Sequence, residues 1–421
     1  MKSSIVFNKY TDNIRSYIIA FLRWMFLGAV IGAVGGIIGT AFSKSVEGVT
    51  NLRIANSWLL YLLPIGGIVI VSIYKLCRVS GVGTNEVFEG VRTEKKVPVL
   101  LAPAVFAGSV ITHLFGGSAG REGAALQLGG SIATCIGKLF RLKEGDRHIL
   151  TVCGMGALFS AVFGTPLCAC IFAVEVVSVG HFCSAALFPC LVSSVTAYGM
   201  ALKLGITPER FAINSVPPFS AKSLCVVLLI ALLGALVSML FCFCMHCFAK
   251  LFKKYLANPY LRIFVGGLLI IGLTLIVNTT DYNGTGAQII ERIFESGTVR
   301  PEAFLLKILF TAITIGAGFK GGEIVPTMFI GASFGCAFAH LIGINPVFGA
   351  AIGLVALFAG VTNCPLASFV LAVELFGGEG IIFYTVAAFV SFLLSGYFSL
   401  YTGQKIIFSK VSDEVIDING K

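Results

Sequence analysis

Long apolar stretches, interrupted by glycine and proline and separated by short polar segments, dominate the chain. They fall near 17–42, 57–77, 97–116, 149–177, 182–203, 223–249, 261–278, 303–319, 345–374 and 380–400. A helix needs about 20 residues to cross a hydrocarbon core of roughly 30 Å. Several stretches are shorter than that, and others are too long for one crossing. The pattern therefore predicts tilted, broken and re-entrant helices rather than an up-and-down bundle.

Composition places these helices in lipid. Of the 421 residues, 57% are hydrophobic and 12% charged, whereas a soluble domain carries roughly 25% charged residues. The 49 glycines suit close helix packing and backbone that breaks inside a membrane. The net charge of +10 does not point to nucleic acid. The basic residues stand at segment ends, within 2–23, 75–96, 138–147 and 250–262 and at Lys405 and Lys410. The first and last groups predict cytoplasmic termini in a multi-pass protein of the plasma membrane. The polar, basic start predicts no cleavable signal peptide. Most of the 13 cysteines sit inside apolar runs as small packing residues. Cys242, Cys244, His246 and Cys247 have no standard zinc spacing, so neither a metal nor a cofactor is expected.

An internal repeat organises the chain. Ala157-Leu158-Phe159 recurs as Ala356-Leu357-Phe358, Val162 as Val361, Pro166-Leu167 as Pro365-Leu366, and Ala173-Val174-Glu175 as Ala372-Val373-Glu374, at a constant offset of 199. Upstream of the copies stand Gly120-Arg121-Glu122-Gly123 and Gly321-Gly322-Glu323-Ile324-Val325-Pro326. The predicted organisation is a cytoplasmic segment at 1–16, a first membrane repeat at 17–205, a linker at 206–222, a second repeat at 223–404 and a short cytoplasmic tail at 405–421. That tail leaves no room for a soluble regulatory (CBS) domain. Two halves broken at matching places predict a transporter whose site lies at the repeat interface near the midplane.

The broken segments carry the candidate chemistry. In Gly116-Gly117-Ser118-Ala119-Gly120-Arg121-Glu122-Gly123, five small residues lead into an ion-like pair and then a helix start. Helix N-termini carry unpaired N–H groups and about half a positive charge, so they bind anions. A carboxylate at Glu122 can occupy such a site itself, or leave it when protonated. Arg121 either sets the local potential or pairs with an acid. The second segment repeats the design, with the N–H groups of Glu323 and Ile324 aimed at a ligand and the Glu323 side chain unassigned. Ser80-Gly81-Val82-Gly83-Thr84-Asn85 is a third, weaker loop before a short helix. Glu175 and Glu374, equivalent in the two halves, suggest a shared structural role. His113 reads as a packed helix-end histidine, and Tyr401 as an interfacial aromatic or an O–H donor to an anion.

Over roughly residues 15–405 these features resemble the CLC chloride channels and anion/proton antiporters. Gly81-Val82-Gly83 stands where the family has its Gly-Ser-Gly loop. Gly120-Arg121-Glu122-Gly123 is similar to the family's gate motif, and 322–326 to its Gly-x-Phe-x-Pro motif with Ile324 for phenylalanine. Tyr401 falls at the family's anion-coordinating tyrosine. The resemblance implies an all-α polytopic membrane protein, a CLC-type inverted repeat of tilted and broken helices, assembled as a homodimer. It implies Glu122 as gate and proton acceptor, and anion contacts from Val82, Gly120, Arg121, Gly123, Glu323, Ile324, Val325 and Tyr401.

Three departures bear on the substrate. Val82 removes the serine hydroxyl, Val176 replaces the second acid that many chloride/proton exchangers use as an internal proton relay, and Ala124 replaces the proline after the gate motif. These changes, with Thr112-His113-Leu114-Phe115-Gly116-Gly117 and the acid at Glu323, are similar to the fluoride/proton antiporter branch. The expected function is fluoride export in exchange for protons, the alternative a chloride/proton exchanger or passive chloride channel. An enzyme is not expected: the chain has no His-Glu-x-x-His and no Gly-x-Ser-x-Gly elbow.

Overall fold

A computed structural model describes residues 2–93, 95, 97–213 and 215–421, with side chains from residue 14 onward. Among these residues the first half of the chain forms eight α-helices: α1 (Lys2–Ala55), α2 (Leu63–Leu76), α3 (Thr84–Arg92), α4 (Leu101–Leu114), α5 (Glu122–Leu139), α6 (Glu144–Phe163), α7 (Pro166–Glu175) and α8 (Ser184–Lys203). The second half forms eight more: α9 (Ala221–Tyr255), α10 (Pro259–Val277), α11 (Ala287–Ser296), α12 (Ala303–Ala317), α13 (Ile324–Ile342), α14 (Pro346–Thr362), α15 (Pro365–Phe376) and α16 (Ile381–Leu394). Six helical spans are long and apolar enough to cross a membrane, and six further apolar helices are shorter.

The long apolar runs break where the backbone demands it. The run 149–177 divides at Gly164, which closes α6 in the left-handed region at φ 79°, and Pro166 opens α7 at its first turn. The run 345–374 divides at Asn363, left-handed at φ 57°, before Pro365 opens α15. Gly164 and Asn363 stand at the same offset of 199 as the rest of the repeat.

α7 and α15 record the symmetry directly. The Glu175 carboxylate, at the end of α7, accepts the Leu366 and Ala367 N–H groups at the start of α15, at 3.2 and 2.9 Å. The Glu374 carboxylate, at the end of α15, accepts the Leu167 and Cys168 N–H groups at the start of α7, at 3.0 and 2.8 Å. Each acid caps the partner helix's orphan donors, so the two helices run antiparallel about a local two-fold. This is the structural role expected for the pair, and it makes the repeat an inverted one.

The centre is built from α6 and α14, buried along nearly their whole length. Each packs against its neighbour through glycines: Gly154 meets Gly129 of α5, and a Cβ on Gly331 of α13 would lie 2.6 Å from the Gly353 carbonyl of α14. Outer helices turn large apolar side chains outward, such as Trp58, Leu236, Phe243 and Ile276, the arrangement expected of a lipid-facing surface. The predicted tail is folded. β1 (Ser178–Val179) pairs in parallel with β2 (Lys405–Phe408), which pairs antiparallel with β3 (Val415–Asn419), a small sheet added to the helical body.

Candidate anion and proton site

The two glycine loops cross each other. The Gly120 N–H donates to the Gly322 carbonyl, and the Gly322 N–H to the Gly120 carbonyl, both at 2.6 Å. This isolated antiparallel bridge brings the N-termini of α5 and α13 tip to tip. At Gly123 a Cβ would sit 2.8 Å from the Gly322 Cα and 3.4 Å from the Glu323 nitrogen, so only hydrogen fits. The loop behind Gly120 is fixed by groups the sequence did not single out. Thr314 Oγ1 accepts the Ser118 N–H at 3.1 Å, Thr311 bonds the Ser118 hydroxyl at 3.0 Å, and Asn283 donates to the Gly116 carbonyl at 2.9 Å. His113, fully buried, spans the Ser109 and Ala119 carbonyls at 2.7 and 3.0 Å, the packing role expected of it.

Glu122 opens α5 and is completely buried. Its carboxylate accepts the Arg121 backbone N–H at 3.1 Å and the Arg121 Nε at 3.2 Å. Arg121 also donates to Glu209 at 2.8 Å and to the Ser43 hydroxyl at 3.0 Å. The guanidinium therefore pairs with acids, the second of its two sequence readings. A buried carboxylate needs such partners, because desolvation alone would cost several kcal/mol.

Glu323 occupies the N-cap of α13 without a side-chain cap bond among the described residues. Its Oε2, buried and without a hydrogen-bond partner among those residues, lies 3.2 Å from where a Gly123 Cβ would be. Ile324 and Val325 follow as the first helical residues, both buried, and Pro326 has no N–H to leave unpaired. Two carboxylates thus stand at the starts of two helices whose leading loops are bonded to each other.

Tyr401 is 2% exposed, and its hydroxyl lacks a hydrogen-bond partner among the described residues. Its ring packs edge-on against Phe88 of α3, with centroids 5.2 Å apart, and it lies within electrostatic reach of Glu323 and Glu122. Val82 stands in the third loop, before α3. Its N–H is used in a turn with the Val79 carbonyl at 3.1 Å, and its half-buried side chain packs on the core. The Gly83 N–H is likewise taken by Glu86 at 2.7 Å. Both N–H groups of the third loop are thus engaged within the loop and the start of α3.

Two cavities are lined by residues adjacent in sequence to this cluster. One of about 420 Å³ is lined by Arg121, Val325, Glu209, Arg53 and Thr285. The other, of about 1080 Å³, is lined by Asn85, Arg92, His148, Thr402 and Gly403, next to Tyr401. Glu122, Glu323 and Tyr401 line neither, although Arg121, Val325 and Thr402 close to them in sequence do.

The chain is similar to proteins of known kind over most of its length. Residues 65–396 match the voltage-gated chloride channel family. A chloride/fluoride channel protein of Pseudomonas syringae pv. tomato is 34% identical over 92% of this chain and 87% of its own. The H(+)/Cl(-) exchange transporter ClcA of Vibrio cholerae is 26% identical over 83% of this chain and 81% of its own. The crystal structure of a CLC-type fluoride/proton antiporter superposes with a TM-score of 0.88 at 32% identity, covering 91% of this chain and 98% of that one. A slow cyanobacterial Cl-/H+ antiporter shares the fold, with a TM-score of 0.76 at 21% identity over 89% and 94% of the two chains. This chain, with its crossed glycine loops and inverted repeat, belongs to the voltage-gated chloride channel (CLC) family.

Proposed function

We propose that the protein is a multi-pass transporter of the plasma membrane that exports fluoride in exchange for protons, working as a homodimer with both termini in the cytoplasm. One observation carries the reading: the buried Glu122 carboxylate and the Glu323 carboxylate, whose Oε2 is buried and unpartnered among the described residues, stand at the N-termini of two helices joined tip to tip.

Fluoride is small, strongly hydrated and a good hydrogen-bond acceptor. Replacing its water shell takes several aligned donors and no bulky ones. The N–H groups of Glu122, Gly123, Glu323 and Ile324 supply them, with the Tyr401 O–H opposite. Gly120, Arg121 and Val325 shape the space around them. An ionised Glu122 competes with the anion for the same donors. Once protonated it loses that claim, and the anion enters as the carboxyl leaves with its proton. Glu323 adds a second carboxyl that must be neutral, or turned aside, for the anion to stay. The anion and the ionised carboxylate thereby exclude one another at one place, and that competition couples the movement of the anion to that of the proton.

Similarity to chloride/proton exchangers supports chloride as the alternative substrate. The absent serine hydroxyl at Val82 and the acid at Glu323 favour fluoride. Purified protein in liposomes, loaded separately with fluoride and chloride, tests the choice. Fluoride efflux well above chloride efflux is expected, and the reverse order rejects it.

A further inference from the structure

Behind Tyr401 lies a buried polar network that the transport reading does not use. Gln404, fully buried, satisfies both donors and both acceptor positions of its amide. Its Nε2 donates to the Val176 carbonyl at 2.9 Å and the Thr362 carbonyl at 2.7 Å. Its Oε1 accepts from Asn363 Nδ2 at 3.0 Å and from the Ser399 hydroxyl at 2.8 Å. Val176 follows α7 and Thr362 ends α14, so one side chain joins the inner ends of a helix from each repeat.

The same residues grip the backbone of Tyr401. The Ser399 hydroxyl accepts the Tyr401 N–H at 3.1 Å, and the Gln404 N–H donates to the Tyr401 carbonyl at 3.0 Å. Lys410, from the folded tail, closes the network. It donates to Asn363 Oδ1 at 2.5 Å, the Phe392 carbonyl at 2.7 Å and the Ser395 hydroxyl at 3.3 Å. An ammonium there meets the C-terminal ends of α14 and α16, where helix dipoles favour positive charge. The tail is tied in again where the Ser399 N–H donates to the Lys421 carbonyl at 2.8 Å.

These restraints fall on the stem of Tyr401, while its hydroxyl stays unpaired among the described residues. A donor held in place before its ligand arrives loses little freedom on binding. We propose that Gln404 is a positioning residue for the anion site and that Lys410 locks it, so that the folded tail sets where the Tyr401 hydroxyl stands. The inference rests on the reading of Tyr401 as an anion donor.

The test is a double-mutant cycle on fluoride flux by the full-length protein in liposomes. Gln404→Glu withdraws the two amide donors, and Lys410→Met removes the lock at its half-buried end. Each is expected to raise the fluoride concentration for half-maximal flux about tenfold, the scale of one lost hydrogen bond to a charged ligand. Combined with Tyr401→Phe, each should add little, because the hydroxyl it positions is already gone. If Gln404→Glu fails to fold, the Lys410→Met cycle decides. Effects that multiply independently of Tyr401→Phe, or an unchanged half-maximal concentration in both variants, overturn the inference alone. A Tyr401→Phe protein with unaltered fluoride flux overturns both the inference and the site reading beneath it.

Discussion

At the scale of the residue, the proposed exchange depends on the protons of Glu122 and Tyr401. Glu122→Gln keeps the shape and hydrogen-bonding reach of the side chain but cannot ionise, so it should mimic the protonated gate. The expected protein moves fluoride without moving protons, measured by simultaneous fluoride and pH electrodes. Tyr401→Phe removes one buried donor and nothing else. It should weaken fluoride binding by about 1.5–3 kcal/mol, the range for a hydrogen bond to a charged group, seen by calorimetric titration. Glu122, Arg121 and Tyr401 were legible in the sequence because an ionisable or polar group amid apolar runs is costly and rarely idle. Gln404, Asn363 and Lys410 were not. Their partners are backbone carbonyls brought together only by folding, and no spacing in the chain announces such a set.

At the scale of the element, the crossed loops depend on missing side chains. Gly123→Ala would put a methyl group 2.8 Å from the Gly322 Cα, against backbone that has nowhere to yield. Overpacking of this kind costs about 1–3 kcal/mol. It should also part the helix tips, so a folded Gly123→Ala protein is expected to lose most fluoride flux in the liposome assay. The reciprocal caps make a separate prediction. Glu374→Ala leaves two N–H groups of α7 without their acceptor, and should lower stability by about 1–2 kcal/mol in thermal unfolding, with Glu175→Ala costing a similar amount. Helix starts at the glycine loops followed from turn chemistry, whereas the breaks at Gly164 and Asn363 emerge only in the fold. The full lengths of α5 and α13, and the short α11, did not stand out as apolar runs. Half of α5 is glycine, alanine, serine or threonine, which pack helices closely while scoring weakly as lipid-soluble. At Val82 and Gly83 the N–H groups of the third loop bond within the loop and to Glu86, a pairing that spacing alone does not reveal.

At the scale of the whole molecule, the repeat at offset 199 foretold two halves, and reciprocal capping by Glu175 and Glu374 gives them opposite sense. Inversion could not be read from the chain, because it depends on how many segments cross, and breaks such as that at Gly164 hide the count. Residues adjacent in sequence to Glu122, Glu323 and Tyr401 line two cavities, Arg121 and Val325 one and Thr402 the other. In the proposed exchange, an ion passing from one to the other displaces a carboxyl group. Fluoride efflux from liposomes with the external pH recorded tests it most directly. The account predicts that the external medium turns alkaline as fluoride leaves, because protons enter in exchange, and that Glu122→Gln abolishes the pH change while fluoride still flows. Fluoride efflux by the unaltered protein with no accompanying pH change would contradict it.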